Sequence, residues 1–291
     1  MKRARTKQEK IILACWIVTG GPIALLLLLL LLVRIGLFGT LPTFEELESP
    51  KSNLATELLS ADGELLGTYY IQNRTFVDYK DLSPYLVQAL IATEDSRFRS
   101  HSGIDFTSLG RVAFKTILLG GKQGGGSTIS QQLAKNLYPR NIGSDDGKIV
   151  RMGKTVISKL KEWITAVMLE RNYTKEEIIV MYLNIVEYGS NAFGIKSASQ
   201  TFFNTQPSEL KIEEAALLIG VINAPTRYSP VKNYDRALAR RNLVLHRMEQ
   251  DKMISDKVCD SLTALPIDLK FNPTSHNQGI STYFRAMVSK Y

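Results

Sequence analysis

One uninterrupted apolar run stands out in the pattern of hydrophobic and polar positions. Residues 11–33, IILACWIVTGGPIALLLLLLLLV, carry no charged side chain. At about 1.5 Å per residue, a helix of this length spans roughly 34 Å, enough to cross a hydrocarbon core of about 30 Å. A cleaved signal peptide is the alternative, but the run is long for one and no A-x-A-like cleavage site follows it. We therefore predict a single N-terminal transmembrane helix over 11–33.

After this run the pattern becomes typical of a hairpin. A short acidic connector, 34–53, leads to two apolar runs at 54–60 and 64–71, which Ala61-Asp62-Gly63 separates. An Asp-Gly pair favours a tight turn between antiparallel strands. Residues 74–79 are predicted to add a third short strand. No other segment shows a convincing β signal.

The remainder of the chain follows a helical period with recognisable start signals. Ser83-Pro84 predicts an N-cap and a first-turn proline for a helix that runs to about Phe98. Capping boxes are predicted at Thr128 with Gln131 and at Thr174 with Glu177. Further helices are predicted near 106–119, 148–171, 194–203, 211–222, 233–252 and 255–264. The fold class is therefore mainly α, with one domain over 54–265 and an irregular linker over 266–291.

The charge distribution argues against a nucleic-acid partner. The chain carries a net charge of +8 in 291 residues. Residues 1–34 hold six basic side chains and Glu9, a net of +5, so only about +3 remains on the rest, a weak footprint for nucleic acid. The basic flank before the apolar run predicts a cytoplasmic tail over 1–10 and an extracytoplasmic domain from residue 35 onward.

The cysteines and histidines predict neither a disulfide nor a zinc site. Cys15 lies in the predicted span and Cys259 in the extramembrane part, so they cannot pair. The three histidines, His101, His246 and His276, show no zinc spacing with one another or with the cysteines. We interpret both cysteines as packing residues.

Glu94 is the first candidate for catalysis. It follows Leu86 and Leu90 at i+4 spacing, so it extends an apolar stripe on one helical face. Partial desolvation there makes a carboxylate a better proton acceptor near neutral pH, as a general base requires. The alternative is a helix-end carboxylate paired with Arg97 or Arg99.

A second segment carries the features of an anion site. The glycine run 120–126 leads into a capped helix N-terminus, whose free N–H groups attract anions. Thr128, Gln131 and Lys135 follow at i, i+3 and i+7. An ordinary flexible loop is the alternative, and the absence of Walker spacing argues against a nucleotide.

The long predicted helix adds Lys159 and Glu162. They lie on the same helical face and form a second candidate pair for the site. A plain i,i+3 surface ion pair is the alternative.

These segments resemble the five ordered motifs of the peptidoglycan glycosyltransferases, glycosyltransferase family 51, the polymerising domain of class A penicillin-binding proteins. EDxxFxxHxGxD is met at 94–105, and GGSTITQQLAKN at 125–136 with Ser130 in place of threonine. RKxxExxxAxxLE is met at 158–170, except that Ser158 replaces the arginine. The fourth motif spans 175–203, with Val180 where glutamate is common, and the fifth spans 214–230. The resemblance covers about residues 50–250.

The resemblance implies a lysozyme-like, membrane-anchored domain that polymerises lipid II into β-1,4-linked glycan strands, with inversion and release of undecaprenyl diphosphate. Glu94 would be the general base, and Glu162 would assist it by holding a divalent cation, Mg²⁺ or Mn²⁺, or by orienting the cationic side chains. Substrate binding is expected from Ser127, Thr128, Gln131, Lys135, Lys159 and Asn184. Asn184 is also expected to satisfy backbone groups near the cleft. Supporting roles are expected for Asp95, Phe98, His101 and Asp105.

The same resemblance sets the expected surroundings. The partners would be lipid II, the growing strand, the bilayer and other cell-wall synthesis proteins, at the bacterial cytoplasmic membrane. The apolar segment 106–119 is expected either to dip into the headgroup region or to pack in the core.

Two alternatives to this function remain open. A membrane-anchored lytic glycosidase would also use a glutamate, and an inactive scaffold would only recruit cell-wall enzymes. A transpeptidase is not expected, because no K-T-G occurs and the only S-x-x-K, Ser229 to Lys232, lies inside the fifth motif. The chain is therefore either a truncation of a bifunctional enzyme or a monofunctional one.

Overall fold

A computed structural model of the protein describes residues 6–42, 56–59, 62, 65–69, 76–119, 125–138 and 147–273. The first five residues of the basic tail, most of the connector and most of the predicted linker lie outside these ranges. The first helix, α1, spans Lys7–Arg34, and Thr6 caps it through a reciprocal pair of hydrogen bonds with Glu9. An 18-residue window of α1 has a mean hydropathy of 2.5, so α1 is long and apolar enough to cross a membrane.

The predicted hairpin is present. Strand β1, Thr56–Leu59, pairs antiparallel with β2, Leu65–Tyr69, and Asp62 lies in the turn between them. The predicted third strand is wrong where the structure describes it. Residues 76–78 are irregular, and a 3₁₀ turn follows at Tyr79–Asp81.

Nine further helices form the body of the part of the chain that the structure describes. They are α2 (Pro84–Glu94), α3 (Phe106–Leu119), α4 (Ile129–Leu137), α5 (Lys148–Asn172), α6 (Lys175–Ile185), α7 (Ile195–Phe203), α8 (Ile212–Ile222), α9 (Tyr234–Gln250) and α10 (Asp256–Thr263). The predicted mainly α class is therefore confirmed. Helix α2 ends four residues earlier than expected, because Asp95 leaves helical geometry at φ −161° and its carboxylate caps α4.

A second hairpin was not predicted. Strand β3, Glu187–Gly189, pairs antiparallel with β4, Ala192–Phe193. Ser190 and Asn191 between them both have positive φ, 51° and 61°, as a two-residue turn with left-handed backbone requires. Strands this short show no alternation of polar and apolar residues, so the pattern gave no signal.

The core centres on α8, whose residues 215–222 are all buried. Helices α2 and α9 pack on α8, α4 packs on α5 and α6, and α1 contacts α5. Helix α3 differs from these helices. Phe106 and Phe114 leave 74% and 65% of their surface exposed, so core packing is wrong for these two side chains.

Candidate active site

A cavity of about 670 Å³ lies between the end of α2 and helices α4, α5 and α9. It brings together residues that are far apart in the chain. Six of the predicted site residues line it: Glu94, Ser127, Gln131, Lys135, Lys159 and Glu162. Its other lining residues include Gln132, Tyr182, Arg240 and Arg247.

Glu94 is the last residue of α2, and two hydrogen bonds in series orient it. Gln132 Nε2 donates to Glu94 Oε2 at 2.8 Å, and the Tyr182 hydroxyl donates to Gln132 Oε1 at 3.0 Å. Burial, helped by the charge of Glu94, raises the pKa of Tyr182 well above its usual value, so the phenol stays a donor. Sequence reasoning missed Gln132, although it shares the Lys135 face of α4 at i+3 spacing.

Neither arginine that was considered as a partner of Glu94 pairs with it. Arg97 pairs with Asp105 through two guanidinium nitrogens, and Arg99 pairs with Glu176 at 3.2 Å. The alternative of a helix-end ion pair for Glu94 is therefore wrong.

The N-terminus of α4 is capped by side chains of the chain itself. Asp95 Oδ2 accepts from Ile129 N at 3.2 Å, and Thr128 Oγ1 accepts from Gln131 N at 3.2 Å. A carboxylate of the chain itself thus satisfies the first free amide of this helix and meets the positive end of its dipole.

Thr128 and Gln131, which were expected to bind substrate, hold the backbone of the loop before α3. Thr128 Oγ1 and Gln131 Nε2 both donate to the carbonyl of Gly103, at 2.7 and 3.3 Å, and both residues are buried. The second half of the predicted capping box is absent, because the Gln131 amide turns to Gly103. Gln131 borders the cavity, and Thr128 borders a neighbouring one of about 340 Å³ that Glu94 also lines, so substrate binding by both stays a prediction.

Asn184 satisfies backbone groups, which was one of its two expected roles. Its Oδ1 accepts from Val77 N at 3.2 Å and its Nδ2 donates to Val77 O at 3.0 Å. The side chain is buried and does not border the cavity. It joins α6 to the segment before α2, and substrate binding by Asn184 stays a prediction.

The loop between α2 and α3 is held by a buried network around His101. Gly103 N donates to His101 Nδ1 at 3.2 Å, so the ring proton lies on Nε2, which donates to Asp95 at 2.9 Å. Phe98 is buried and packs edge-on against the His101 ring. These contacts place Asp95 at the N-terminus of α4.

Asp105 closes the other end of this loop. Its carboxylate accepts from Ser108 N at 3.0 Å and from the Arg97 guanidinium. Burial opposes ionisation of Asp105, but the hydrogen bonds from Ser108 and Arg97 outweigh it and lower the pKa to about 2. Asp105 therefore caps α3 as a permanent anion.

Gly103 fixes the loop against α5. Its φ of +92° favours glycine, and a Cβ there would lie 2.8 Å from the carbonyl oxygen of Ala166. A side chain at this position would force the loop away from α5.

Lys135 of α4 and Lys159 of α5 add positive charge to the cavity lining. Lys159 Nζ donates to Glu162 Oε2 at 2.5 Å and to Ser127 Oγ at 3.2 Å. Glu162 is 4% exposed, so the alternative of a plain surface pair is wrong. Lys135 is exposed on the cavity rim. One buried carboxylate here fits the way in which Mg²⁺ binds, with one or two protein carboxylates and the rest of its ligands from substrate phosphates and water.

Helix α9 contributes two arginines that sequence reasoning missed. Arg247 Nη1 donates to the Thr93 carbonyl at 2.5 Å, directly before Glu94. Burial lowers the pKa of Arg240, and the nearby charge of Glu94 partly offsets this effect. The only sequence signal was their i,i+7 spacing, which places both on one face of α9 beyond the last motif.

Comparison with known proteins gives a consistent result. The family model described as Transglycosylase matches residues 62–249. Penicillin-binding protein 1A of Aquifex aeolicus is 36% identical over 262 residues, and penicillin-binding protein 1F of Bacillus subtilis is 33% identical over 236 residues. These alignments cover 90% and 81% of this chain but only 34% and 32% of the relatives, so the chain spans about a third of their length.

A solved structure is more distantly similar. Penicillin-binding protein 1A of Haemophilus influenzae has a TM-score of 0.41 and 21% identity, covering 82% of this chain and 24% of that one.

Proposed function

From the premise that the chain belongs to the transglycosylase family, we propose that it is a peptidoglycan glycosyltransferase of cell-wall synthesis. Its substrates are lipid II and the lipid-linked growing strand, and its product is a β-1,4-linked glycan. A lysozyme-like arrangement, with the carboxylate at a helix end beside a cleft, is part of the proposal. So are the boundaries: a cytoplasmic tail over 1–10, a transmembrane helix over 11–33, a connector over 34–53, the catalytic domain over 54–265 and a linker beyond it.

Glu94 acts as the general base. A hydroxyl of the acceptor sugar attacks the anomeric carbon of the donor, its proton passes to Glu94, and the bond to undecaprenyl diphosphate breaks with inversion. The hydrogen bond from Gln132 Nε2 to Glu94 Oε2 supports this role, because it holds one carboxylate oxygen while the other can face the acceptor. This orientation of Glu94 in a cavity with two lysines is the observation that carries the proposal.

The two lysines of the cavity, Lys135 and Lys159, stabilise the leaving group. A diphosphate leaves as an anion, so it needs positive charge more than an acid. Lys135 and Lys159 supply that charge, with Ser127 as a further hydrogen-bonding group. Glu162 would hold Mg²⁺ or Mn²⁺ against the diphosphate, and the ion would supply additional charge neutralisation there.

The apolar surroundings suit a substrate that carries a long lipid. A second cavity of about 690 Å³ lies between the segment after α1 and α5, and Phe38, Leu41 and Ile157 line it together with Glu162. It therefore runs from the end of the membrane helix to the buried carboxylate. The exposed Phe106 and Phe114 of α3 would enter the headgroup region. We place the domain outside the bacterial cytoplasmic membrane, where other cell-wall proteins could reach it.

One experiment tests the function against its alternatives. The full chain in detergent is incubated with labelled lipid II, with and without Mg²⁺, and the products are separated by size. Conversion of lipid II to polymer is the expected result. Shortening of finished strands without polymer formation would instead indicate a lytic glycosidase, and binding of lipid II without turnover would indicate a scaffold.

A further inference from the structure

Outside the cavity, the fold brings together three side chains that sequence spacing did not connect. His246 and Glu249 lie at i,i+3 on α9, and Cys259 lies on α10, which packs on α9. Among the residues that the structure describes, these three each offer an atom of the kind that binds metals. The three atoms all lie within 4.8 Å of one another. Thirteen positions separate His246 from Cys259. The loop between the helices returns Cys259 to the face of α9 that carries His246.

Two of the three separations between these atoms match the edges of a tetrahedral metal site. With metal–sulfur bonds of about 2.3 Å and metal–nitrogen or metal–oxygen bonds of about 2.0 Å, tetrahedral angles place sulfur and nitrogen roughly 3.5 Å apart, and nitrogen and oxygen roughly 3.3 Å apart. The observed distances are 3.4 Å from Cys259 Sγ to His246 Nδ1 and 3.3 Å from His246 Nδ1 to Glu249 Oε2. The third pair, Cys259 Sγ and the Glu249 carboxylate oxygen, lies within 4.8 Å, so adjustment of the side chains is enough to place an ion between them.

The chemistry and the charge around the group also favour a cation. A sulfur, an imidazole nitrogen and a carboxylate oxygen form the mixed donor set that suits Zn²⁺ and similar ions. Asp256 and Asp260 of α10 add negative charge near the sulfur. A bound ion displaces the thiol proton of Cys259.

The exposure of the three side chains leaves room for a fourth ligand. Cys259 is fully buried, whereas the His246 side chain is 52% exposed and that of Glu249 is 32% exposed. Water can thus complete a four-coordinate site from the solvent side. We propose that His246, Glu249 and Cys259 bind a divalent ion of the Zn²⁺ class that cross-links α10 to α9, on the face of α9 away from Arg240 and Arg247.

Cobalt provides the probe, because a thiolate ligand gives Co²⁺ a charge-transfer absorption band. The metal-free full chain in detergent is titrated with Co²⁺ under reducing conditions. We expect a thiolate-to-cobalt band that saturates at one ion per chain and disappears when Zn²⁺ is added. Absence of the band at millimolar Co²⁺ would overturn the proposal.

Variants separate this site from other cysteines and from the cavity. Cys259→Ser is expected to remove the band, and His246→Ala to weaken Co²⁺ binding at least about tenfold. Cys15→Ser and Glu162→Gln are the controls and should leave the band unchanged, since one cysteine lies in α1 and Glu162 offers only oxygen. A band that survives Cys259→Ser would contradict the assignment.

Cys259 is buried, so its substitution can perturb folding, and a second measurement avoids that difficulty. His246 is half exposed, so His246→Ala should keep the wild-type circular dichroism spectrum. Zn²⁺ should raise the melting temperature of the wild type and of Cys15→Ser, and should leave that of His246→Ala unchanged. An equal rise in His246→Ala would contradict the proposal.

Discussion

The two walls of the active-site cavity are built in different ways. The Glu94 wall is tied together by buried hydrogen bonds: Asp95 to His101 and to α4, Asp105 to Arg97, and Gly103 against α5. The lysine wall, formed by Lys135 and Lys159, is held by fewer hydrogen bonds. Lys135 is exposed, and Lys159 is held by Glu162 and Ser127 alone among its described contacts.

The difference reflects the task of each wall. A general base must lie within hydrogen-bond reach of one proton, so small displacements of Glu94 reduce the rate. Charge stabilisation acts over longer distances, so the long side chains of lysines can adapt to a diphosphate. Under the proposed function, the hydrogen bonds of the first motif hold Glu94 in position.

The largest expected effect comes from removing the base itself. Glu94→Gln keeps the shape and the neighbours of the side chain but cannot accept a proton. Turnover of lipid II should fall by about a hundred- to ten-thousandfold, as measured by polymer formation in detergent. Glu187→Gln, an exposed carboxylate on β3, is the control and should polymerise normally. Near-wild-type activity of Glu94→Gln would remove the assignment.

Removing the positive charge of Lys159 should reduce activity less than removing the base. Lys159→Met takes away positive charge at the diphosphate and leaves Glu162 without this partner. We expect kcat/KM to fall by roughly a hundred- to a thousandfold. Lys148→Met, an exposed lysine at the start of the same helix, is the matched control. A loss no greater than that of the control would show that Lys159 does not contact the leaving group.

The hydrogen bonds of the Glu94 wall can be tested through the free energy of unfolding. Asp105→Asn removes an anion whose pKa is lowered from 3.8 to about 2. Because the folded pKa is below the unfolded one, Asp105 stabilises the fold fully above about pH 5, and this contribution is lost as the pH falls through 4 towards 2. Urea unfolding at pH 7 should show a loss of about 2 kcal/mol relative to wild type.

The pH dependence is the diagnostic part of that experiment. The difference between wild type and Asp105→Asn should shrink towards zero near pH 2. A difference that stays constant from pH 7 to pH 2 would mean that the carboxylate charge is not its cause. Asp235→Asn, an exposed carboxylate in the first turn of α9, should show little difference at either pH.

The smallest expected effect concerns the orientation of Glu94. Gln132→Leu removes the donor to Glu94 and the acceptor for Tyr182. We expect kcat to fall by about tenfold with little change in KM, since a hydrogen bond to a charged carboxylate contributes roughly 1.5 kcal/mol or more. Tyr182→Phe should give a smaller loss in the same direction. A change confined to KM would indicate that Gln132 binds substrate.

Much of the helical framework could be predicted because its signals are local. The Thr174 capping box forms in full, with Glu177 reaching back to Thr174 N at 2.7 Å, and α5 begins at the predicted residue. The Asp-Gly hairpin and α1 also follow from nearby residues alone. The β3–β4 hairpin could not be predicted, because its strands have only three and two residues.

The chain's own pattern determined α1, most of the helices and the choice of Glu94, Lys135, Lys159 and Glu162, because helical period and capping depend on neighbours in sequence. Tertiary structure alone decided which polar groups the residues around Glu94 satisfy. The Asp95 carboxylate caps the N-terminus of α4, where an anion site was expected, and the Asn184 side chain accepts a hydrogen bond from Val77 N. Only packing brought Gln132 and Arg240 to Glu94, and Cys259 to His246, because such contacts depend on how helices meet in space.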